Sequence, residues 1–219
     1  MAQEYGFDLY NQDNGLSASY IYDIRQDERG NISLATESGL VLFNGYTFTP
    51  FDTLNGLNEN LVSQIEVCRS GNFFVGHFQE GLSYGRGEFN PFVIKDAPES
   101  RISALLEIAP NTVAVGTNGA GLYVANTSGK TEKITVVPSE SINAICSAGS
   151  QFVAVATDNG VTMLKNSNGK LTFAYEVSAV KGENIVAIAS DSSGNVFAAI
   201  QDGGIARINL RDGNFSCVV

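Results

Sequence analysis

Two landmarks return along this chain at a period near forty residues. An apolar pair, Ile21-x-x-Ile24, recurs as Val62-x-x-Ile65, Ile102-x-x-Leu105, Ile142-x-x-Ile145 and Ile185-x-x-Ile188, at steps of 41, 40, 40 and 43 residues. A Gly39-Leu40 dipeptide recurs as Gly81-Leu82, Gly121-Leu122, Gly160-Val161 and Gly204-Ile205, at steps of 42, 40, 39 and 44. Two independent landmarks keeping one period mean that each unit is a supersecondary piece whose apolar faces are buried by its copies.

The first unit shows what that piece is. Ile21 to Arg25, Ile32 to Thr36, Gly39 to Phe43 and Tyr46 to Phe51 are rich in Ile, Leu, Val, Phe, Tyr and Thr, and Gly, Asn, Asp or Ser bounds each run. Asn44-Gly45 favours a tight hairpin turn. These signals describe a four-stranded antiparallel meander, and four strands per unit of about 40–45 residues is the mark of a propeller blade. Helical solenoids of similar period are excluded, because no 3.6-residue apolar stripe is sustained and Gly or Pro interrupts nearly every window. The expected fold is an all-β propeller of five four-stranded blades, possible also as a segment of a larger propeller.

Here the chain resembles the two-component regulator propeller repeats, found in extracytoplasmic sensor regions of bacterial histidine kinases, including hybrid ones. The residues that carry the resemblance are Gly15-Leu16, Ile21-Tyr22-Asp23-Ile24, Asp27-Glu28-Arg29-Gly30-Asn31, Thr36, Gly39-Leu40 and Phe43-Asn44-Gly45. Gly56-Leu57, Val62, Ile65, Gly71-Asn72, Gly76 and Gly81-Leu82 continue it, and Asp191-Ser192-Ser193-Gly194-Asn195 repeats the turn in the last unit. The family's Trp position holds Ser33, Phe74, Ala114, Ala154 and Ala198, in a chain with no Trp. The resemblance covers almost the whole chain and is tightest in the first two units. It implies a periplasmic or extracellular location and a sensing role.

The unbroken repeat argues for one domain over residues 1–219, with units at 15–55, 56–98, 99–138, 139–181 and 182–219. Residues 4–14 align with Thr47 to Asn55 and read as a leading outer strand, so five full units leave one strand too many for a five-bladed ring. Either Phe7 to Tyr10 or Phe215 to Val219 then completes the last blade. The Asp212-Gly213 turn favours the local hairpin, since a short loop costs less closure entropy. The sequence thus reads as part of a longer protein whose five blades form either a squeezed ring or an open arc.

Composition excludes several partners. The net charge is −10 and no basic stripe is present, so no nucleic acid is expected to bind. No apolar run approaches the ~20 residues of a membrane span, and no signal peptide is visible at Met1-Ala2-Gln3-Glu4. Cys68, Cys146 and Cys217 form no metal-like pair and no disulfide is expected. No cofactor is expected either. Gly119-Ala120-Gly121 lacks the Lys and helix of a phosphate loop and reads as a hairpin.

The loops between second and third strands, with the segments entering first strands, share one face. They supply Glu37, His77, Gln79, Asn118, Asp158 and Asp202, with Tyr20 and Phe78 nearby. Amides, carboxylates and an aromatic face suit a small hydroxylated ligand such as an oligosaccharide. Turns are also made of these residue types for conformational reasons alone. His77, the only histidine, lacks a metal-binding partner and reads as a loop-edge side chain. Asp23 lies mid-strand, directed to a wet channel or to the blade's flank. Three functions remain open: a non-catalytic ligand-sensing propeller, an interaction scaffold binding an envelope protein, and a glycosidase. The last ranks lowest, because it needs two or three carboxylates about 5–10 Å apart, and Asp23 is the one inner-strand candidate.

Overall fold

The computed structural model describes residue 6 and residues 8–92, 99–211 and 214–218. It is all-β, built as five four-stranded antiparallel blades, each a simple meander. Blade 1 is β1 (Ile21–Gln26), β2 (Ile32–Thr36), β3 (Gly39–Phe43) and β4 (Phe48–Phe51). Blade 2 is β5 (Val62–Val67), β6 (Phe73–His77), β7 (Leu82–Arg86) and β8 (Glu88–Phe92). Blade 3 is β9 (Ile102–Ala109), β10 (Thr112–Thr117), β11 (Leu122–Asn126) and β12 (Thr131–Ile134). Blade 4 is β13 (Ile142–Ala148), β14 (Phe152–Thr157), β15 (Gly160–Ser167) and β16 (Lys170–Glu176). Blade 5 is β17 (Ile185–Ser190), β18 (Val196–Ile200), β19 (Ile205–Arg211) and β20 (Asn214–Val218).

Burial follows from stacking, as the repeat requires. The second strands of blades 2 to 4 are sealed on both faces, with Phe74, Val75, Val113, Ala114, Val153 and Ala154 buried, whereas β18 of blade 5 buries Val196 and Ala198 on one face and leaves Phe197 and Ala199 half-buried on the other. The family's Trp position is therefore a core position in every blade, filled here by Ser33, Phe74 and three alanines. Where the residue is small, a strand partner supplies bulk, as Met163 does opposite Ala154. Four core clusters each bridge two neighbouring blades; Ala35 and Leu40 of blade 1 pack with Val62, Ile65 and Val75 of blade 2. Leu57, just before blade 2, enters the same cluster.

The approach to each of the first two blades is one repeated device. Asp52 accepts from the Leu54 N–H at 2.7 Å, the Asp52 N–H donates to Asn55 Oδ1 at 3.0 Å, and Gly56 ends the turn at φ 92°. Asn11, Asn14 and Gly15 do the same before blade 1, with Gly15 at φ 95°. A side chain at Gly56 would meet the Phe89 carbonyl at 2.1 Å, so glycine is required by both conformation and space. Leu16 then lies on the free face of blade 1 with Leu34 and Val41, where Tyr10 adds ring contacts to Phe43 and Phe48.

The expectation for residues 4–14 is corrected on the part described. Asp8 to Tyr10 pair with no strand, and Gln12–Asn14 is a 3₁₀ turn; Glu4, Tyr5 and Phe7 lie outside the described residues. The outer strand of blade 5 is β20, paired locally with β19 from Arg211↔Asn214 to Arg207↔Val218. A short hairpin needs far less chain ordering than a junction of distant ends. The blades form an open arc. Inner strands pack in the order β1, β5, β9, β13 and β17, and no packing of that extent returns from β17 to β1. Ile24 is accordingly 60% exposed at one end and Val186 49% at the other.

Candidate functional site

Ile21 pairs with Thr36, and the corresponding pairs recur in later blades, so the entry to each first strand and the loop after each second strand share a face. That face begins with a bulge. In every blade the ladder skips one residue after the recurring apolar position: Tyr22, Ser63, Ser103, Asn143 and Val186. A bulge re-aims its side chain, and here it reaches the next blade. Ser63 Oγ donates toward the Ile102 carbonyl at 2.8 Å, Ser103 Oγ bonds the Ile142 carbonyl, and Asn143 Nδ2 donates to Ile185 at 2.8 Å. Tyr22 instead sets its ring against Phe78 of blade 2, with centroids 4.9 Å apart. The Arg101 guanidinium covers the same Phe78 at 4.4 Å. A row Tyr22–Phe78–Arg101 thus lines the inner rim across three blades, and Asn143, Asn184 and Gln201 continue it as hydrogen-bonded amides.

The residues expected from sequence divide into two groups. Glu37 is turned inward on the loops: its carboxylate oxygens accept from Ser19 N–H at 2.8 Å and Tyr20 N–H at 2.9 Å. Burial works against its charge, but these backbone donors hold its pKa below the ordinary value. His77 is no loop-edge side chain; it is fully buried. Thr36, Thr117 and Thr157 close their loops by donating to Gly39, Gly121 and Gly160 carbonyls. His77 stands at the same place in blade 2 and reaches Ser83 Oγ through Nε2 at 2.8 Å. Ser83 Oγ also accepts from Asn58 N–H at 2.9 Å, and its second lone pair and its proton fit either neutral tautomer of the His77 ring. Burial lowers the His77 pKa to about 4, opposed by the Leu61 carbonyl, which nevertheless lies outside hydrogen-bond geometry of Nδ1.

Gln79, Asn118, Asp158 and Asp202 are exposed on the loop face. Two of them are brought together. Asn118 bridges Ser141, the Ser141 N–H donates to Ser139 Oγ at 3.0 Å, and Ser139 Oγ donates to Asp158 at 2.6 Å. Gln79 is fixed through its N–H on Glu59 at 3.0 Å, and Asp202 takes a left-handed φ of 55° beside Gln201. The rim residues Tyr22, Arg101, Asn143 and Asn184 were not anticipated. Their signal was available: Tyr22 and Asn143 each follow the recurring apolar landmark.

Asp23 faces the flank of blade 1. Its Oδ2 accepts from Ile65 N–H at 3.0 Å, while Arg25 Nε donates to the Ile65 carbonyl at 3.0 Å, so the pair grips one peptide residue of blade 2. Burial raises its pKa, offset by Arg25 3.3 Å away. Glu66, at the place in blade 2 that Arg25 holds in blade 1, reaches the next blade with a single bond, accepting from Glu107 N–H at 2.8 Å, and burial raises its pKa. Glu107 in turn accepts from Arg69 N–H at 3.0 Å, in the turn where Cys68 replaces the carboxylate of Asp27. Asp27 and Asp191 cap their own turns through Asn31 and Asn195; Cys68 has the same backbone bonds and a buried thiol. These carboxylates are joinery between and within blades. Among the described residues no cluster of three or more His, Cys, Asp or Glu is placed to hold a metal, and no helix is long and apolar enough to cross a membrane.

No protein-family model matches the sequence, and no curated protein is similar to it. Solved structures do share the fold. The extracellular domain of BT3049 from B. thetaiotaomicron, assigned to the hybrid two-component systems, superimposes with a TM-score of 0.73 at 19% identity, over 95% of this chain and 31% of that one. The extracellular domain of BT4673 from the same organism gives 0.66 at 24% identity, over 84% of this chain and 27% of that one. A streptogramin B lyase gives 0.74 at 16% identity, over 93% and 70%. This chain therefore spans about a third or less of the two B. thetaiotaomicron domains, and what it shares with all three is the propeller architecture.

Proposed function

We propose that this chain is a non-catalytic ligand-recognition propeller of an extracytoplasmic sensor in a two-component signalling protein, located in the periplasm or outside the cell. The likeness to the BT3049 extracellular domain over 95% of the chain carries this reading. The Gly-Leu, Asp-x-x-Gly-Asn and Phe-Asn-Gly residues of the first unit point the same way. The loop face recognises a small hydroxylated ligand such as an oligosaccharide, with Gln79, Asn118, Asp158 and Asp202 as polar contacts and the Tyr22–Phe78 pair as an apolar platform. Glu37 and His77 serve by holding the loops. A lyase or hydrolase is disfavoured because the His77–Ser83 pair is sealed and the carboxylates of Asp23 and Glu66 are engaged by backbone N–H groups. The test is a glycan array with the isolated chain, followed by recovery of the bound saccharide. Binding of an intact saccharide, weakened by roughly 1–3 kcal/mol in Asp158→Ala and Asn118→Ala, is expected. Cleavage of the saccharide would make the protein an enzyme, and no retention by the array would favour the scaffold that binds an envelope protein.

A further inference from the structure

On the opposite face, a groove of about 600 Å³ lies between blades 1 and 2, within the roughly 300–1,000 Å³ typical of small-molecule sites. The turns after β1 and β5 form its walls, and Phe43, Phe51 and Phe73 supply apolar lining. Arg29, Arg69 and Arg86 open onto it, and all three are exposed. They are three of the seven arginines in a chain of net charge −10, so they concentrate positive charge against the sign of the whole molecule. The ion pairs among the described residues engage Arg25, Lys133 and Lys181, and none reaches these guanidinia. The Asp27 carboxylate in the same groove is taken up by Arg29 N–H, Asn31 N–H and the Asn31 amide. Those donors keep Asp27 ionised, its pKa lowered first by the Asn31 side chain, so Asp27 and Glu28 are the two carboxylates set against the three arginines. The Arg86 guanidinium lies over Gly71, its Nη1 3.2 Å from the place a Cβ would take, so the bare glycine makes room for it. The backbone of Arg69 is held by Glu107 of blade 3.

Unpaired guanidinia beside phenyl rings recognise a ring compound carrying an oxyanion: the forks pair the anion and the rings cover the apolar face. We propose that this groove binds a small ring-bearing carboxylate or sulfate ester, with Arg69 and Arg86 as the anion contacts. The site is separate from the loop face and does not depend on its ligand.

The experiment is an NMR titration of the folded chain with glucuronate, glucose 6-sulfate and glucose, three probes differing at one substituent. Glucuronate, glucose 6-sulfate or both should shift the amides of residues 68–72 and 86–87, while glucose leaves them unmoved. Raising salt from about 50 to 500 mM should weaken that binding. Arg69→Gln and Arg86→Gln should each weaken it by about ten-fold, Glu28→Gln should strengthen it, and Asp158→Ala should leave it unchanged. Since the arginines are exposed, thermal melts matching the parent will show that the variants fold. The proposal fails if neither anionic probe moves these amides, if glucose moves them equally, or if both arginine variants bind as the parent does.

Discussion

Replacing His77 by Gln tests the burial of the one histidine through the pH dependence of stability. The ring is fully buried and its pKa falls from 6.5 to about 4. Below pH 6.5 the unfolded chain takes up a proton that the folded chain refuses until pH 4 is approached. Stability is therefore complete above pH 6.5 and declines as pH falls toward 4. At about 1.4 kcal/mol per pH unit, the whole window is worth roughly 3 kcal/mol. Gln can still meet Ser83 Oγ but does not titrate, so His77→Gln removes this decline while adding a packing cost that is constant with pH. Asp23 and Glu66, raised by burial, favour the fold as pH falls, and Asp27, Glu37 and Asp191, lowered, disfavour it. These contributions are common to both proteins and cancel in the difference. Because the chain has no Trp, urea unfolding followed by far-UV circular dichroism at pH 7.5, 6.5, 5.5 and 4.5 is the assay. The stability advantage of the parent over His77→Gln should shrink by about 2–3 kcal/mol across that series. A difference that stays flat with pH would refute the reasoning.

Ser63→Ala removes the buried hydroxyl that joins blade 2 to the Ile102 carbonyl, and should lower stability by about 1 kcal/mol in the same assay at pH 7.5. Gly39→Ala places a Cβ 2.0 Å from the Phe51 carbonyl at φ 129°; a loss of more than about 2 kcal/mol, or failure to fold, is expected from strain and overlap together. In amide exchange, Leu9 and Tyr10 should exchange within the dead time, because they belong to no strand. The amides that β19 and β20 share should be protected; protection at Leu9 and Tyr10 instead would point to closure by the leading segment.

The fold was legible in the sequence because every blade repeats the same decisions. The recurring apolar pair marks each inner strand, the Gly-Leu marks each third strand, and the boundaries of β1 to β3 agree closely with the runs read from residues 21–43. The candidate site was less legible, for reasons that attach to particular residues. Glu37 and Asp158 look alike as loop carboxylates, and only three-dimensional packing turns Glu37 onto Ser19 and Tyr20 while leaving Asp158 outside. His77 looked like a loop edge because it is the last residue of its strand and stands beside Phe78, Gln79 and Glu80. Its alignment with Thr36, Thr117 and Thr157 was the better guide, since those hydroxyls are all buried. The arginine groove left no trace in the spacing, because Arg29 comes from a turn of blade 1 while Arg69 and Arg86 come from a turn and a strand end of blade 2, and they share a groove only when the two blades stack.

The bulge position offers a rule that periodicity alone does not. A ladder that skips one residue turns that side chain onto the neighbouring blade, so its chemistry states what kind of joint the blade makes. Blades 2, 3 and 4 place Ser63, Ser103 and Asn143 there, and each donates to the first carbonyl of the next inner strand. Blade 1 places Tyr22, whose ring meets Phe78 edge to face and makes no bond to that carbonyl; the grip passes to Asp23 and Arg25, which hold both polar groups of Ile65. Blade 5 places Val186, an apolar residue with no proton to give and half of its surface in solvent. The hydrogen-bonded joint that holds blades 2 through 5 together thus has no equivalent on the far side of β17. The exposure of Val186 and Ile205 there is the packing counterpart of that missing donor.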